Sequence, residues 1–418
     1  MEYLEIEGGN ELNGEISVSG MKNSALPIIF ATVLIKEECI IENVPRVSDV
    51  ENALEILSSM GAQTRWLDAH TVSINTKNLE GTVKLHEKIS KMRASYYLMG
   101  VLLARFGEFC VPLPGGCNFG ARPIEQHLKG FTILGANCHE ENGFVEATAK
   151  KHLKSTKITL DKISVGATIN IVLASVFEKG VTTIENCAIE PHVDDVICFL
   201  NKAGAKIVRV NRRIYCEGAH SLHGVKYRIF PDMIEALTYF TMLGATRGDV
   251  TLTGVNCEHI SFCADVFQKM GMKVNSYYDK VRIVCKQRLN GADVVTEPYP
   301  LFPTDLHPQF AAMLSFTKNG GTVFENVFPS RFAYIDELRK MGANIIKSNN
   351  LAKVLPSEIH SSTVDATDLR AGAALVVSAL GANGKSTINN VNYIVRGYEN
   401  LTGKISSLGG KIKLLKGE

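Results

Sequence analysis

Met60-Gly61-Ala62 closes a run of helix-forming residues, and close variants of it return five times along the chain. They are Leu134-Gly135-Ala136, Ala203-Gly204-Ala205, Met270-Gly271-Met272, Met341-Gly342-Ala343 and Leu408-Gly409-Gly410, with central glycines 74, 69, 67, 71 and 67 residues apart. A glycine that ends a helix in the left-handed conformation accounts for each one. A fixed period of this size marks an internal repeat.

Working outward, each repeat reads alike. A short strand leads into a helix that is apolar nearly all round: Ala25 to Leu34, Tyr96 to Ala104, Ile171 to Phe177, Ala236 to Leu243, Phe310 to Phe316 and Ala371 to Leu380. Helices without a polar face belong in an interior. A β-rich stretch with a turn follows, as in Ile41-Glu42-Asn43, Ile184-Glu185-Asn186 and Phe324-Glu325-Asn326. A second, amphipathic helix and a final strand close the unit. The expected fold is α/β: two inside-out α/β barrel domains, each of three βαβαβ-like repeats with buried helices and outer sheets. Residues 22–230 form the first domain. Residues 1–21 and 231–418 form the second, with the first strands joining the later half.

Charge appears where the buried helices begin: Lys22, Arg93, Asp232, Asp305, and Asp368 with Arg370. The turns before the second helices add Arg46, Arg122, Glu190, Glu258, Arg331 and Arg396. An aspartate at a helix start is ordinary capping. A cation there is mildly unfavourable, because the helix amino terminus is already partly positive. Cations and helix starts together suit anions. Repeats related by rotation would bring Lys22, Arg93, Arg122, Arg331, Arg370 and Arg396 to one cleft, facing a ligand with phosphate and carboxylate groups.

Pro114-Gly115-Gly116-Cys117-Asn118-Phe119-Gly120-Ala121-Arg122-Pro123 stands apart. Its glycines and prolines favour an irregular loop. Cys117 sits in that loop rather than on an apolar face, and Arg122 nearby would lower the thiol's pKa.

The bulk numbers agree. The 418 residues exceed one ordinary core. Apolar content of 45% and charged content of 21% fit a soluble globular chain. A net charge of +2 gives no reason to expect nucleic acid or membrane partners. The acidic start, Met1 to Glu5, lacks the features of a signal peptide. Ten cysteines at irregular spacing suggest free thiols and a cytoplasmic location. No metal site, P-loop or dinucleotide fingerprint occurs, so neither metal nor cofactor is expected. We expect a monomer.

These residues resemble the enolpyruvyl transferases that act on UDP-N-acetylglucosamine. The resemblance spans the whole chain. It rests on Gly20 to Pro27, Lys91 to Ser95, the Pro114 to Pro123 loop, Ser164 to Thr168, Phe302 to Asp305, Ala366 to Ala371 and Arg396 to Glu399. It implies the paired inside-out barrels, and transfer of enolpyruvyl from phosphoenolpyruvate to the sugar's 3-hydroxyl with release of phosphate. That reaction opens peptidoglycan precursor synthesis and would make the chain a fosfomycin target. The catalytic set implied is Cys117 as acid, Asp305 as base, and Lys22 and Arg396. Lys22, Asn23, Arg122, Arg331, Arg370 and Arg396 would hold phosphoenolpyruvate. Asn23, Arg93, Arg122, Pro123, Glu125, Lys162, Ser164, Val165, Gly166, Asp305 and the Val327 carbonyl would hold the UDP-sugar. The shikimate-pathway relative shares the fold but lacks such a cysteine loop.

Departures from the family pattern fall at His192, Met233, Leu237, Pro329, Ser330 and Val395. None removes a group assigned to chemistry, and all bear on acceptor specificity and interdomain contacts. They leave two alternatives: a divergent paralogue serving another uridine nucleotide, or a non-catalytic UDP-sugar-binding protein. Retention of both Cys117 and Asp305 argues against the second, since binding alone needs neither acid nor base.

Overall fold

The structure is a computed structural model that describes residues 2–81, 86–113, 124–149 and 153–417. The loop holding Cys117, Arg122 and Pro123 lies outside the described residues. Contacts divide the chain into two units: residues 2–19 with 231–417, and the described residues of 20–230.

The six glycines of the repeat have positive φ, between 89° and 107°. In each case the residue after the glycine donates its N–H five residues back, from Ala62 to Leu57, Ala136 to Phe131, Ala205 to Leu200, Met272 to Phe267, Ala343 to Leu338 and Gly410 to Ile405, at 2.9–3.1 Å. All six acceptor residues are buried apolar side chains. One motif therefore caps a helix and seats its last turn on the core.

In the unit of residues 2–19 and 231–417, three helices form the interior: Met233–Thr246, His307–Leu314 and Leu369–Gly381. Every residue of His307–Leu314 is buried. Asp232 caps the first helix by accepting from the Ile234 and Glu235 N–H groups at 2.8 and 3.1 Å. Asp368 caps the third through Arg370 and Ala371 at 2.8 and 3.0 Å. Three four-stranded sheets on one plan surround these helices. In the first, Leu12–Ser17 runs parallel to Gly248–Thr253, which pairs antiparallel with Lys280–Cys285, and that strand with Lys273–Tyr277. Val294–Thr296, Gly321–Glu325, Leu351–Leu355 and Asn344–Ser348 repeat the order. So do Thr363–Asp365, Lys385–Asn389, Glu2–Glu7 and Lys411–Lys416, so the two ends of the chain make the closing antiparallel pair.

The other unit places Lys22–Ala31, Tyr97–Phe106 and Val165–Ser175 inside. Two of its sheets follow the same plan, with Lys226–Arg228 and Lys157–Thr159 as the parallel edges. The third has three strands among the described residues: Glu108–Pro112, Phe144–Thr148 and Asn137–Glu141. Along Arg213–Glu217 exposed and buried residues alternate strictly, as expected of a sheet with one wet face. Among the described residues no helix is long and apolar enough to cross a membrane.

Candidate active site

In the unit of residues 2–19 and 231–417 the helix starts converge on one carboxylate. A short 3-10 turn, Thr304–Leu306, precedes the His307–Leu314 helix and presents Asp305. Arg331 Nη1 donates to Asp305 Oδ1 at 2.8 Å. Arg370 Nη2 donates to Oδ2 at 3.0 Å. Both guanidinium side chains are only 4% exposed, and that of Asp305 is 29% exposed. Burial alone would raise the Asp305 pKa. The Arg370 and Arg331 charges overcome it and hold the carboxyl well below the usual range.

Behind the pair lies a polar floor. Arg370 Nη1 donates to the Tyr398 hydroxyl at 3.1 Å. That hydroxyl lies 2.9 Å from Thr238 Oγ1 and accepts from Gln309 Nε2 at 3.1 Å. Arg370 Nε and Gln309 Oε1 are buried without a partner among the described residues. Arg396 is half-buried, two residues before Tyr398. Val327 follows the Gly321–Glu325 strand and is also half-buried. Asp305, Arg331 and Arg370 thus form a direct cluster, with Arg396 and Val327 on neighbouring segments.

In the other unit, Lys22 starts its buried helix, and its Nζ lies 3.0 Å from Asp49 Oδ2. Asn23 is half-buried beside it. The Arg93 guanidinium lies 5.6 Å from the centre of the Tyr96 ring. That ring packs edge-on against His127 with centroids 4.9 Å apart. Asn170 Nδ2 is 2.8 Å from His127 Nδ1 and donates to the Tyr96 carbonyl at 2.9 Å, while its Oδ1 accepts from Gly100 N–H at 3.0 Å. Burial first, then the Arg93 charge, push His127 down to about 3, so it stays neutral. Ser164 caps the Val165–Ser175 helix by accepting from Ala167 N–H at 3.3 Å. A Cβ on Gly166 would stand 2.8 Å from the Tyr96 hydroxyl oxygen and 3.0 Å from His127 Cε1, so only glycine lets this helix start lie so close.

Glu125 opens the Glu125–Leu134 helix and is exposed, as is Lys162. Gln126 and Lys129 both bond Asp161, which ties the segment before Lys162 to that helix. Arg93, Glu125, Lys162, Ser164, Val165 and Gly166 therefore stand on connected segments. Cys117, Arg122 and Pro123 fall outside the described residues. The sequence assigns no site role to Asp49, Tyr96, Asn170, Thr238, Gln309 or Glu325. Tyr398 was seen within a motif without a role. Asn170, Thr238 and Gln309 sit on apolar helices, where a single polar residue looks like a core residue that has found a partner.

Among the described residues no group of three or more His, Cys, Asp or Glu is placed to hold a metal ion.

An enolpyruvyl transferase fold with a buried arginine pair meeting on Asp305 defines the class. The profile of the EPSP synthase (3-phosphoshikimate 1-carboxyvinyltransferase) family matches residues 6–405. Among solved structures the chain is similar to the enolpyruvyl transferase NikO from Streptomyces tendae, with a TM-score of 0.90 and 24% identity over 100% of this chain and 99% of that one. It is also similar to EPSP synthase from Acinetobacter baumannii, with a TM-score of 0.74, 16% identity and full coverage of both. The chain belongs to the EPSP synthase family. Within it, the chain is 40% identical to a UDP-N-acetylglucosamine 1-carboxyvinyltransferase of Finegoldia magna, covering 100% of this chain and 99% of the relative. It is 43% identical to the enzyme of that name from Halothermothrix orenii, covering 98% and 99%. The Staphylococcus aureus UDP-N-acetylglucosamine 1-carboxyvinyltransferase 1 is 41% identical, with 99% of each covered.

Proposed function

We propose that this chain transfers the enolpyruvyl group of phosphoenolpyruvate to the 3-hydroxyl of UDP-N-acetylglucosamine and releases phosphate, the first committed step of peptidoglycan synthesis. Full-length identity of 40% or more to relatives that carry this activity in their names supports the assignment. The observation that carries the chemistry is the pair of buried guanidiniums meeting on one carboxylate. A carboxylate ligand can take the place of Asp305 there, and phosphoenolpyruvate brings one.

Each residue then has a role. Arg331 and Arg370 receive the substrate carboxylate. Lys22, Arg122 and Arg396 hold its phosphate. The buried Nε donor of Arg370 gains an acceptor when the anion arrives. Displaced from its arginines, Asp305 recovers basicity and takes the proton of the sugar hydroxyl. The Cys117 thiol protonates the methylene carbon of phosphoenolpyruvate while the sugar oxygen bonds to its central carbon. The tetrahedral adduct then expels phosphate and gives back a methyl proton, restoring the double bond. The guanidiniums act on charge that develops in a low-dielectric site. Arg93, stacked on Tyr96, with Glu125, Lys162 and the Ser164–Gly166 helix start, holds the uridine diphosphate, and Asn23 and Val327 contact the sugar. We place the reaction in the cytoplasm and assign it to a monomer.

The test is phosphate release from phosphoenolpyruvate across a panel of UDP-sugars. Turnover with UDP-N-acetylglucosamine supports the reading. Turnover with a different uridine nucleotide alone supports the paralogue. Sugar-nucleotide binding without release from any acceptor means a sensor.

A further inference from the structure

Glu325 is the most heavily bonded buried carboxylate among the described residues, and no step above uses it. Its Oε1 accepts from Thr296 Oγ1 at 2.8 Å, Val327 N–H at 2.9 Å and Phe328 N–H at 2.8 Å. Its Oε2 accepts from Thr304 Oγ1 at 2.9 Å and lies 2.8 Å from His307 Nδ1. His307 Nε2 lies 2.7 Å from the Tyr334 hydroxyl. Repeat architecture does not require this burial. The equivalent residues Glu42 and Glu185 keep side chains 30% and 19% exposed and pair with surface lysines, whereas Glu325 is fully buried.

Two consequences follow from the bonding. The peptide linking Val327 to Phe328 is planar, so with its N–H turned to Glu325, its Val327 carbonyl points the opposite way, off the carboxylate. Thr304, which donates to Glu325, accepts from Arg331 Nη1 at 3.1 Å, the same nitrogen that donates to Asp305. One carboxylate thereby fixes a carbonyl on one loop and, through Thr304, the turn that presents Asp305 on another.

We propose that Glu325 is a positioning residue for the acceptor sugar. It aims the Val327 carbonyl at a sugar hydroxyl and, by accepting from Thr304, holds the Thr304–Leu306 turn from which Asp305 meets the hydroxyl that reacts. This rests on the reaction proposed above. His307 and Tyr334, both buried, complete the network.

Glu325→Gln keeps the shape and removes the charge. With one amide nitrogen in place of an oxygen, Thr304 and His307 must reverse their donor and acceptor roles. We expect the KM for UDP-N-acetylglucosamine to rise about tenfold, with the KM for phosphoenolpyruvate changed less than about threefold. Thr296→Val, a milder change, removes one donor to Oε1 and should raise the acceptor KM about threefold. Tyr334→Phe should lower the melting temperature and leave both KM values unchanged. A merely structural Glu325 would behave like Tyr334, losing melting temperature without moving the acceptor KM, and that outcome overturns the proposal. If Glu325→Gln does not fold, Thr296→Val decides: an unchanged acceptor KM overturns it. Wild-type protein that neither turns over nor binds UDP-N-acetylglucosamine removes the underlying reaction, and this inference with it.

Discussion

Replacing Asp305 by Asn isolates the electrostatics of the arginine pair. At a charge separation of ~4 Å and an effective dielectric constant of ~20, each arginine–carboxylate attraction is worth about 4 kcal/mol before desolvation. Burying the carboxylate offsets much of that. Removing one partner of a buried pair still costs about 3–5 kcal/mol, because the remaining charge is left without compensation. Here two guanidiniums are left, each 4% exposed, while the 29% exposure of Asp305 lets water replace part of the lost charge. We therefore expect a loss of about 3 kcal/mol, at the low end of that range. Urea unfolding at neutral pH, followed by far-ultraviolet circular dichroism, measures it. The single tryptophan, Trp66, belongs to the other unit, so its fluorescence reports on the unit that lacks Asp305. The difference from wild type should stay flat from about pH 5 upward. A depressed folded-state pKa gives stability that is complete above the ordinary aspartate value of about 3.9 and fades only as pH falls through the folded value. A variant within about 0.5 kcal/mol of wild type would show that the arginines do not depend on this carboxylate.

Further outcomes follow from the same geometry. Burial pushes Glu178 up to about 7, so its ionised form destabilises the fold above that pH; Glu178→Gln should be neutral near pH 4 and stabilise by roughly 1 kcal/mol at pH 8, measured by thermal melts at both. His127 should show no imidazole titration by NMR between pH 5 and 8; a midpoint in that window would contradict its burial against Tyr96 and Asn170. Gly166→Ala drives a methyl into Tyr96, whose ring carries Arg93. UDP-N-acetylglucosamine binding by calorimetry should weaken about tenfold, and binding at wild-type strength would separate Tyr96 from the nucleotide. Cys117 should be the cysteine that fosfomycin alkylates, faster with UDP-N-acetylglucosamine present; mass spectrometry finding the label on another cysteine would remove Cys117 from its role.

The fold was legible in the sequence because its repeat rests on a conformational constraint. Only glycine enters the left-handed region freely, and Gly61, Gly135, Gly204, Gly271, Gly342 and Gly409 all lie there. Apolar runs marked the buried helices for the same reason: a helix with no polar face has one place to go. Strand partners were less legible. That Glu2–Glu7 joins Lys411–Lys416, from opposite ends of the chain, is a long-range pairing with no local signal beyond alternation. At the site, residue types were legible and contacts were not. Asp305, Arg331 and Arg370 were each singled out, yet their meeting depends on three separate segments arriving at one point. Glu325 carries no mark in the sequence because Glu-Asn recurs at this turn, in Glu42-Asn43 and Glu185-Asn186, and nothing local tells the fully buried glutamate from the half-buried ones.

The most direct measurement is product mass and phosphate release when the purified chain is given phosphoenolpyruvate with UDP-N-acetylglucosamine, beside a parallel reaction with shikimate 3-phosphate. We predict one phosphate released for each sugar nucleotide that gains an enolpyruvyl group, and none with shikimate 3-phosphate. Phosphate release with the shikimate acceptor, or with neither, would contradict the assignment of the arginine cluster and Cys117 to this reaction.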